Sequence, residues 1–184
     1  MRRIAVTPVR VGGAALIAIA LAMAISAAVA LVDGGGGFGG LFWSAIITAS
    51  VGAGLFFGSG VSPSADSALA FASVAWSWLA VSVAGAMPFL LTGVIPWARF
   101  DDALFESVSG FTCTGSTILS DFASVPQGVL FFRSMIQWFG GMGLIVLAVA
   151  ILPALGIGGL ELIASEAPGP TADRLSLRVR DTAR

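Results

Sequence analysis

The stretch Phe100-Asp-Asp-Ala-Leu-Phe-Glu-Ser-Val-Ser-Gly-Phe-Thr-Cys-Thr-Gly-Ser-Thr-Ile-Leu119 decides how this chain folds, because it is polar while long apolar segments lie on both sides of it. Seven Ser and Thr residues lie between Ser107 and Ser120, together with the carboxyl group of Glu106. The pattern predicts a short polar helix that ends in a hydroxyl-rich turn centred on Gly115.

The composition around this stretch indicates an integral membrane protein. Hydrophobic residues make up 57% of the 184 residues and charged residues 10%, and the mean hydropathy is +0.98. Soluble domains contain only about 45 to 50% apolar residues.

The charged and reactive residues exclude several classes of function. All nine basic residues are Arg and the formal net charge is -1, so neither a nucleic-acid partner nor a Walker-type phosphate site, which needs Lys, is expected. Histidine is absent and Cys113 is the single cysteine, which excludes an intrachain disulfide, His-based catalysis and the usual zinc clusters. We therefore do not expect an enzyme.

Four apolar segments predict an all-α membrane fold with four transmembrane helices. They are Val11 to Val32, Leu41 to Phe57, Ala68 to Leu91 and Ser134 to Leu160. The first would rise about 33 Å, enough to cross a hydrocarbon core of about 30 Å. A cleaved signal peptide is the alternative for this segment. A membrane enzyme would be expected to carry paired ionisable groups inside such segments, and these four carry none.

The connections divide the chain into three predicted parts. Residues 1–67 would form an N-terminal pair of transmembrane helices, and residues 68–160 a unit of helix, loop and helix. Residues 161–184 would be a basic cytoplasmic segment at the surface of the membrane lipid, because Pro168-Gly-Pro170 bars helix continuation and four Arg residues follow it.

We expect the central stretch to enter the membrane as a re-entrant pore helix and loop without crossing it. A crossing would bring Glu106 into or near the hydrocarbon, at a cost of up to about 2.5 to 3.5 kcal/mol. With four crossings both termini lie on one side, so that three Arg at the start and four near the end are cytoplasmic, as the positive-inside rule prefers. A fifth crossing, the alternative, would put the last four outside.

The short helix would be capped by Asp101 or Asp102 and would bury one face through Leu104, Val108 and Phe111. Its C-terminal end carries roughly half a negative charge, which favours a cation just beyond it.

The residues at that point are Thr112, Cys113, Thr114 and Gly115. Backbone carbonyls of an extended strand relieved by glycine can replace the hydration shell of a monovalent cation. Such irregular backbone must line a protein cavity or a watery path. An ordinary external loop is the alternative interpretation.

Several motifs carry a resemblance to a known family. They are the central stretch, Phe131-Phe-Arg-Ser-Met-Ile-Gln-Trp-Phe-Gly-Gly-Met-Gly-Leu-Ile-Val-Leu-Ala-Val-Ala-Ile-Leu-Pro153, Glu166-Ala-Pro-Gly-Pro170 and Arg180-Asp-Thr-Ala-Arg184. In this order they resemble the Trk/Ktr potassium-uptake family, in particular the membrane subunit of the bacterial Trk type. The resemblance covers nearly the whole chain and is most distinctive from Met87 onward.

The resemblance implies four consecutive units of helix, pore loop and helix around one potassium path, each with a filter strand. This chain contains one unit, and the resemblance implies that Thr112, Cys113, Thr114 and Gly115 form its filter strand, with the carbonyls of Cys113 and Thr114 as potassium ligands. The family more often has threonine at the position of Cys113, which keeps carbonyl ligation. Potassium is then the transported substrate, with no organic cofactor, and the Cys113 side chain is expected to be shielded in the assembled protein.

The resemblance also implies partners and a location. The partners are the three remaining pore units in the same or a split chain, a second copy in a homodimer, and a cytosolic nucleotide-binding regulatory subunit. The location is the bacterial cytoplasmic (inner) membrane. The simplest expectation is the first part of a longer translocating subunit, and a homotetramer is the alternative. A non-transporting scaffold or assembly fragment would share the apolar segments but would not need Thr114 and Gly115.

Asp101, Asp102, Glu106 and Arg133 are predicted to support the pore helix. For Arg133 two interpretations remain. It is either an interfacial anchor whose long stem reaches outward, or the partner of Glu106 or Asp121 in a pair that braces the helix.

Overall fold

The computed structural model describes residues 5–62 and 67–154. The chain divides into two compact units, Met1–Gly143 and Leu144–Arg184, and the contacts described below all lie in the first. Of the second unit, residues 144–154 are described. The predicted end of the fourth span at Leu160 and the basic segment 161–184 lie outside the described residues.

The described part of the chain consists of five helices and one short pair of strands. In order these are β1 Ala5–Val6, α1 Pro8–Val32, α2 Phe38–Gly58, β2 Val61–Ser62, α3 Ser67–Leu91, α4 Phe100–Phe111 and α5 Gln127–Ala154. Single turns of 3-10 helix, Trp97–Arg99 and Phe122–Ser124, precede α4 and α5. The antiparallel pairing of β1 with β2 was not predicted, but it joins only two residues of each segment.

Within the described residues, α1, α2, α3 and α5 are long and apolar enough to cross a membrane, which confirms the four predicted spans. α1 begins earlier than predicted because Pro8, with its fixed φ, suits the first turn of a helix. α5 also begins earlier than predicted, directly after Pro126. The prediction placed Arg133 before the helix because it is charged, whereas the structure places it inside α5.

The helices pack around α1 and α3. α1 contacts both α2 and α3, and α3 also contacts α4. α1 and α2 approach closely at Gly13, where a Cβ would lie 2.7 Å from the amide nitrogen of Phe56 and 2.8 Å from the carbonyl oxygen of Gly52. Phe89 of α3 and Phe132 of α5 are fully buried with ring centroids 6.1 Å apart. This core holds α4 and the loop that follows it.

Candidate functional site

The start of α4 differs from the prediction that Asp101 or Asp102 caps it. The helix begins at Phe100, its N-cap is Arg99, and no side chain makes a capping hydrogen bond. Both Asp residues lie in the first turn, where a carboxylate interacts favourably with the positive end of the helix dipole. Asp102 also forms an ion pair with Arg99. These residues lie at the opposite end of α4 from the hydroxyl-rich turn.

The buried face of α4 is more polar than predicted. Phe111 is buried as expected, but Val108 is 39% exposed and Leu104 is only partly buried. The fully buried polar side chains include Glu106 and Ser107. The prediction was wrong because it assigned the apolar residues to the packed face. The polar side chains have partners there, such as the carbonyl oxygen of Ser82 in α3, to which the Ser107 hydroxyl donates over 2.7 Å.

After α4 the chain reverses and runs back beside the helix. The amide nitrogens of Cys113 and Thr114 donate to the carbonyl oxygens of Gly110 and Ser109 over 3.0 and 3.1 Å. Further on, the Ser109 hydroxyl donates to the carbonyl oxygen of Ser116 over 2.6 Å. Residues further along the loop therefore bond to residues closer to the start of α4. We call residues 112–118 the return loop.

Glu106 joins the return loop to α4 and α5. Its Oε1 accepts hydrogen bonds from the Thr117 hydroxyl and from the amide nitrogen of Ile118, the latter over 2.6 Å. Its Oε2 lies 3.0 Å from Nε of Arg133 in α5. The Glu106 side chain is 0% exposed and that of Arg133 13% exposed, so the pair is shielded from water.

This geometry confirms the pairing of Arg133 with Glu106 and not with Asp121, whose carboxylate accepts from the amide nitrogen of Ala123. A second nitrogen of the guanidinium, Nη2, donates to the carbonyl oxygens of Gly115 and Ser116, each over 3.3 Å. Arg133 thus bonds both the carboxylate and the backbone of the return loop. Ser109, Ser116 and Thr117 complete this network, and the sequence marked them only by the enrichment in hydroxyl groups.

Thr112, Cys113, Thr114 and Gly115 form the exposed bend of the return loop. Cys113 and Gly115 both have positive φ angles, 57° and 74°, and such a conformation is uncommon for a residue with a side chain. The Thr112 hydroxyl bonds back to the carbonyl oxygen of Val108 at 2.8 Å and lies 2.8 Å from the Thr114 hydroxyl. The Cys113 thiol donates to the carbonyl oxygen of Gln137 in α5 at 3.1 Å.

The backbone carbonyls of residues 113–116 fall into two groups. Those of Gly115 and Ser116 accept hydrogen bonds from Arg133. Among the described residues, none donates a hydrogen bond to the carbonyl oxygen of Cys113 or Thr114. The bend therefore offers neutral oxygen atoms of the kind that bind a dehydrated monovalent cation.

Comparison with known proteins identifies the family of this chain. The family described as TrkH, cation transport protein, matches residues 41–182. The Trk system potassium uptake protein TrkH of Escherichia coli K12 is 48% identical over 115 residues, which are 62% of this chain and 24% of that protein. TrkG of the same organism is 46% identical over 115 residues, which again are 62% of this chain and 24% of that protein.

A solved structure is also similar. The crystal structure of the potassium transporter TrkH from Vibrio parahaemolyticus matches with a TM-score of 0.74 and 37% identity, over 82% of this chain and 32% of that one. The chain spans about a quarter of the length of the curated relatives named above. The family is one of transport proteins and not of enzymes, as the sequence predicted. With a match over more than half of its residues, this chain belongs to the TrkH family of cation transport proteins.

Proposed function

We propose that this chain supplies one of four units around a potassium path across the bacterial cytoplasmic membrane. In this unit α3 and α5 are the flanking helices, α4 is a re-entrant pore helix and residues 112–115 are the filter strand. The relatives named above are potassium uptake proteins by their names, which supports potassium as the transported ion. α4 has 12 residues and rises about 18 Å, too little to cross a hydrocarbon core of about 30 Å.

The observation that carries the proposal is the division of the carbonyls at the bend. Arg133 occupies those of Gly115 and Ser116, while the carbonyl oxygens of Cys113 and Thr114 accept no hydrogen bond from the described residues. The hydroxyls of Thr112 and Thr114 are engaged locally. Backbone carbonyls are therefore the groups available to an ion, and the C-terminal end of α4 adds roughly half a negative charge nearby.

The rest of the assembly follows from the same proposal. One bend can offer carbonyls to one side of an ion, so three further units, in the same parent chain or in split chains, complete the ring of ligands. Both ends of this segment lie in the cytoplasm, where a nucleotide-binding regulatory subunit controls the path. The intact protein is a homodimer, and lipid covers its outer helices.

The experiment compares two glycines that share one backbone conformation. Gly115 and Gly93 have φ angles of 74° and 76°, and a Cβ would meet no atom within 4 Å at either position. Alanine at each site therefore carries the same penalty, roughly 1 to 2 kcal/mol for a left-handed residue. Gly115 belongs to the proposed filter, whereas Gly93 follows α3 and lies outside the filter.

We expect G115A in the intact protein to lose discrimination of potassium against sodium, whereas G93A keeps it. Uptake of both ions is measured in bacteria that lack their own potassium uptake systems and is normalised to the amount of protein in the membrane. The change to Asp at position 115 should remove selective uptake altogether, because it adds a charge beside the ion. If G115A and G93A discriminate potassium from sodium equally well, Gly115 is not part of the filter. The result would favour a scaffolding role for this chain.

A further inference from the structure

We propose that Gly140 of α5 is a positioning residue for the filter strand, because its missing side chain lets α5 pack directly on the backbone at the end of α4. This inference rests on the proposed function, since it concerns how the proposed pore helix is aimed. It adds a residue outside the return loop to those that determine ion selection.

The contact is between backbones. A Cβ on Gly140 would overlap the carbonyl oxygen of Phe111 and would lie 2.7 Å from its carbonyl carbon and 2.9 Å from its Cα. Phe111 is the last residue of α4 and is 3% exposed. A main-chain atom cannot turn aside as the tip of a side chain can, so any side chain at position 140 must push the end of α4 away from α5.

At the other close glycine contacts of α4, an added Cβ would meet side-chain atoms and not the backbone. At Gly110 an added Cβ would meet the tip of the Ile136 side chain, and at Gly85 it would meet the Ser107 hydroxyl and the Phe111 ring. Each of these groups can move by changing a side-chain torsion. Of the described glycines that α4 contacts or contains, Gly140 is therefore the one that limits the approach of the helix backbone itself.

Gly140 also belongs to a face of α5 whose residues contact the return loop and the end of α4 at successive turns. Arg133, Gln137 and Gly140 follow the i, i+4, i+7 spacing of one helix face. Arg133 bonds Glu106 and two loop carbonyls, and Gln137 accepts from the Cys113 thiol. Gly140 then sets the distance from α5 to the residue before Thr112. A displacement of Phe111 would change the direction of the carbonyls of Cys113 and Thr114, which follow it in the chain.

The test uses three alanine variants of the intact protein. G140A creates the backbone overlap, and G141A is the matched control in the next position of the same helix, where the Cβ meets only the Cys113 sulfur at an ordinary 3.7 Å. G13A is the second control, because it creates a similar backbone overlap between α1 and α2, away from the return loop. The KM for potassium and the ratio of potassium to sodium uptake are measured per molecule of protein in the membrane.

We expect G140A to raise the KM or lower the uptake ratio by roughly tenfold or more, since a displacement of about 1 Å at a functional site can cost about 100-fold. G141A should match the unmodified protein, and G13A should lower only its abundance. Wild-type KM and selectivity in G140A would overturn the proposal. A selectivity loss of equal size in G13A would do the same, because the effect would then be one of general packing.

Two further measurements keep the result interpretable. If G140A does not accumulate, C113A tests the same face of α5, because it removes the hydrogen bond from the thiol to the carbonyl oxygen of Gln137. It should lower the uptake ratio at normal abundance, and an unchanged ratio would overturn the positioning role of this face. G115A and G93A are measured in parallel, so that an impaired G115A beside a normal G140A rejects the positioning role alone, whereas a normal G115A rejects the filter itself.

Discussion

Glu106 is a fully buried carboxylate, a costly feature that persists only with partners. Here the partners are the Thr117 hydroxyl, the amide nitrogen of Ile118 and the guanidinium of Arg133. The first two come from the return loop and the third from α5. A single side chain of α4 therefore connects the return loop, which directly follows α4, with the more distant α5.

Loss of the Arg133 charge is predicted to be strongly destabilising. R133Q leaves the Glu106 carboxylate buried without its cation, which typically costs about 3 to 5 kcal/mol. The intact protein should then show a lower yield and a lower unfolding temperature. The control is R99Q, which breaks the pair with Asp102 whose side chains are 61% and 22% exposed, and which should cost less than about 1 kcal/mol. Equal losses in R133Q and R99Q would contradict a bracing role.

A double-mutant cycle separates pairing from independent effects. E106Q removes the charge but keeps an oxygen for Ile118, so we expect E106Q combined with R133Q to destabilise less than the sum of the two single changes. The unfolding temperature of the purified intact protein is the measurement. If the decreases in unfolding temperature are additive, Arg133 acts as an interfacial anchor and not as the partner of Glu106.

Among the elements, α4 and the return loop form one hairpin, and Cys113 lies at its bend. The residue is exposed in this chain while its thiol is bonded to the carbonyl oxygen of Gln137. The proposed filter strand would require the carbonyls of Cys113 and Thr114 to point at the ion while the thiol keeps this contact with α5.

The thiol therefore provides a test of the hairpin geometry. In the intact protein we expect a bulky, charged, membrane-impermeant thiol reagent added from outside to modify Cys113 slowly, because the side chain packs behind the strand. The denatured protein gives the rate for full reactivity. Modification at that rate would identify residues 112–116 as a surface loop, and the filter assignment for this segment would be withdrawn.

At the scale of the whole molecule, the described residues contain four apolar helices and a single polar hairpin. We predict that these 184 residues alone, reconstituted in liposomes, give no potassium-selective flux. The intact protein in liposomes of the same lipid is the positive control. Robust selective flux through the short chain would support a homotetramer instead of one unit of a longer assembly.

The apolar runs by themselves determined the four membrane helices, because hydrophobic length is a local property of the chain and lipid demands internally bonded backbone. The polar hairpin between the third and fourth spans, its glycine and the family were also recognisable from local sequence. Among the described helix ends, only the start of α5 was misplaced substantially, because Arg133 was treated as a boundary.

The tertiary structure decided which groups meet. Arg133 and Glu106 are 27 positions apart, and nothing in the local pattern distinguished Glu106 from Asp121 as the partner. The packed face of α4 was also misassigned, because periodicity treats polar residues as exposed, whereas Glu106, Ser107 and Ser109 are buried with partners. The contact of Gly140 with Phe111 likewise exists only once α5 lies on α4. Burial of a polar group depends on partners supplied from distant segments, and those become known only when the helices are packed.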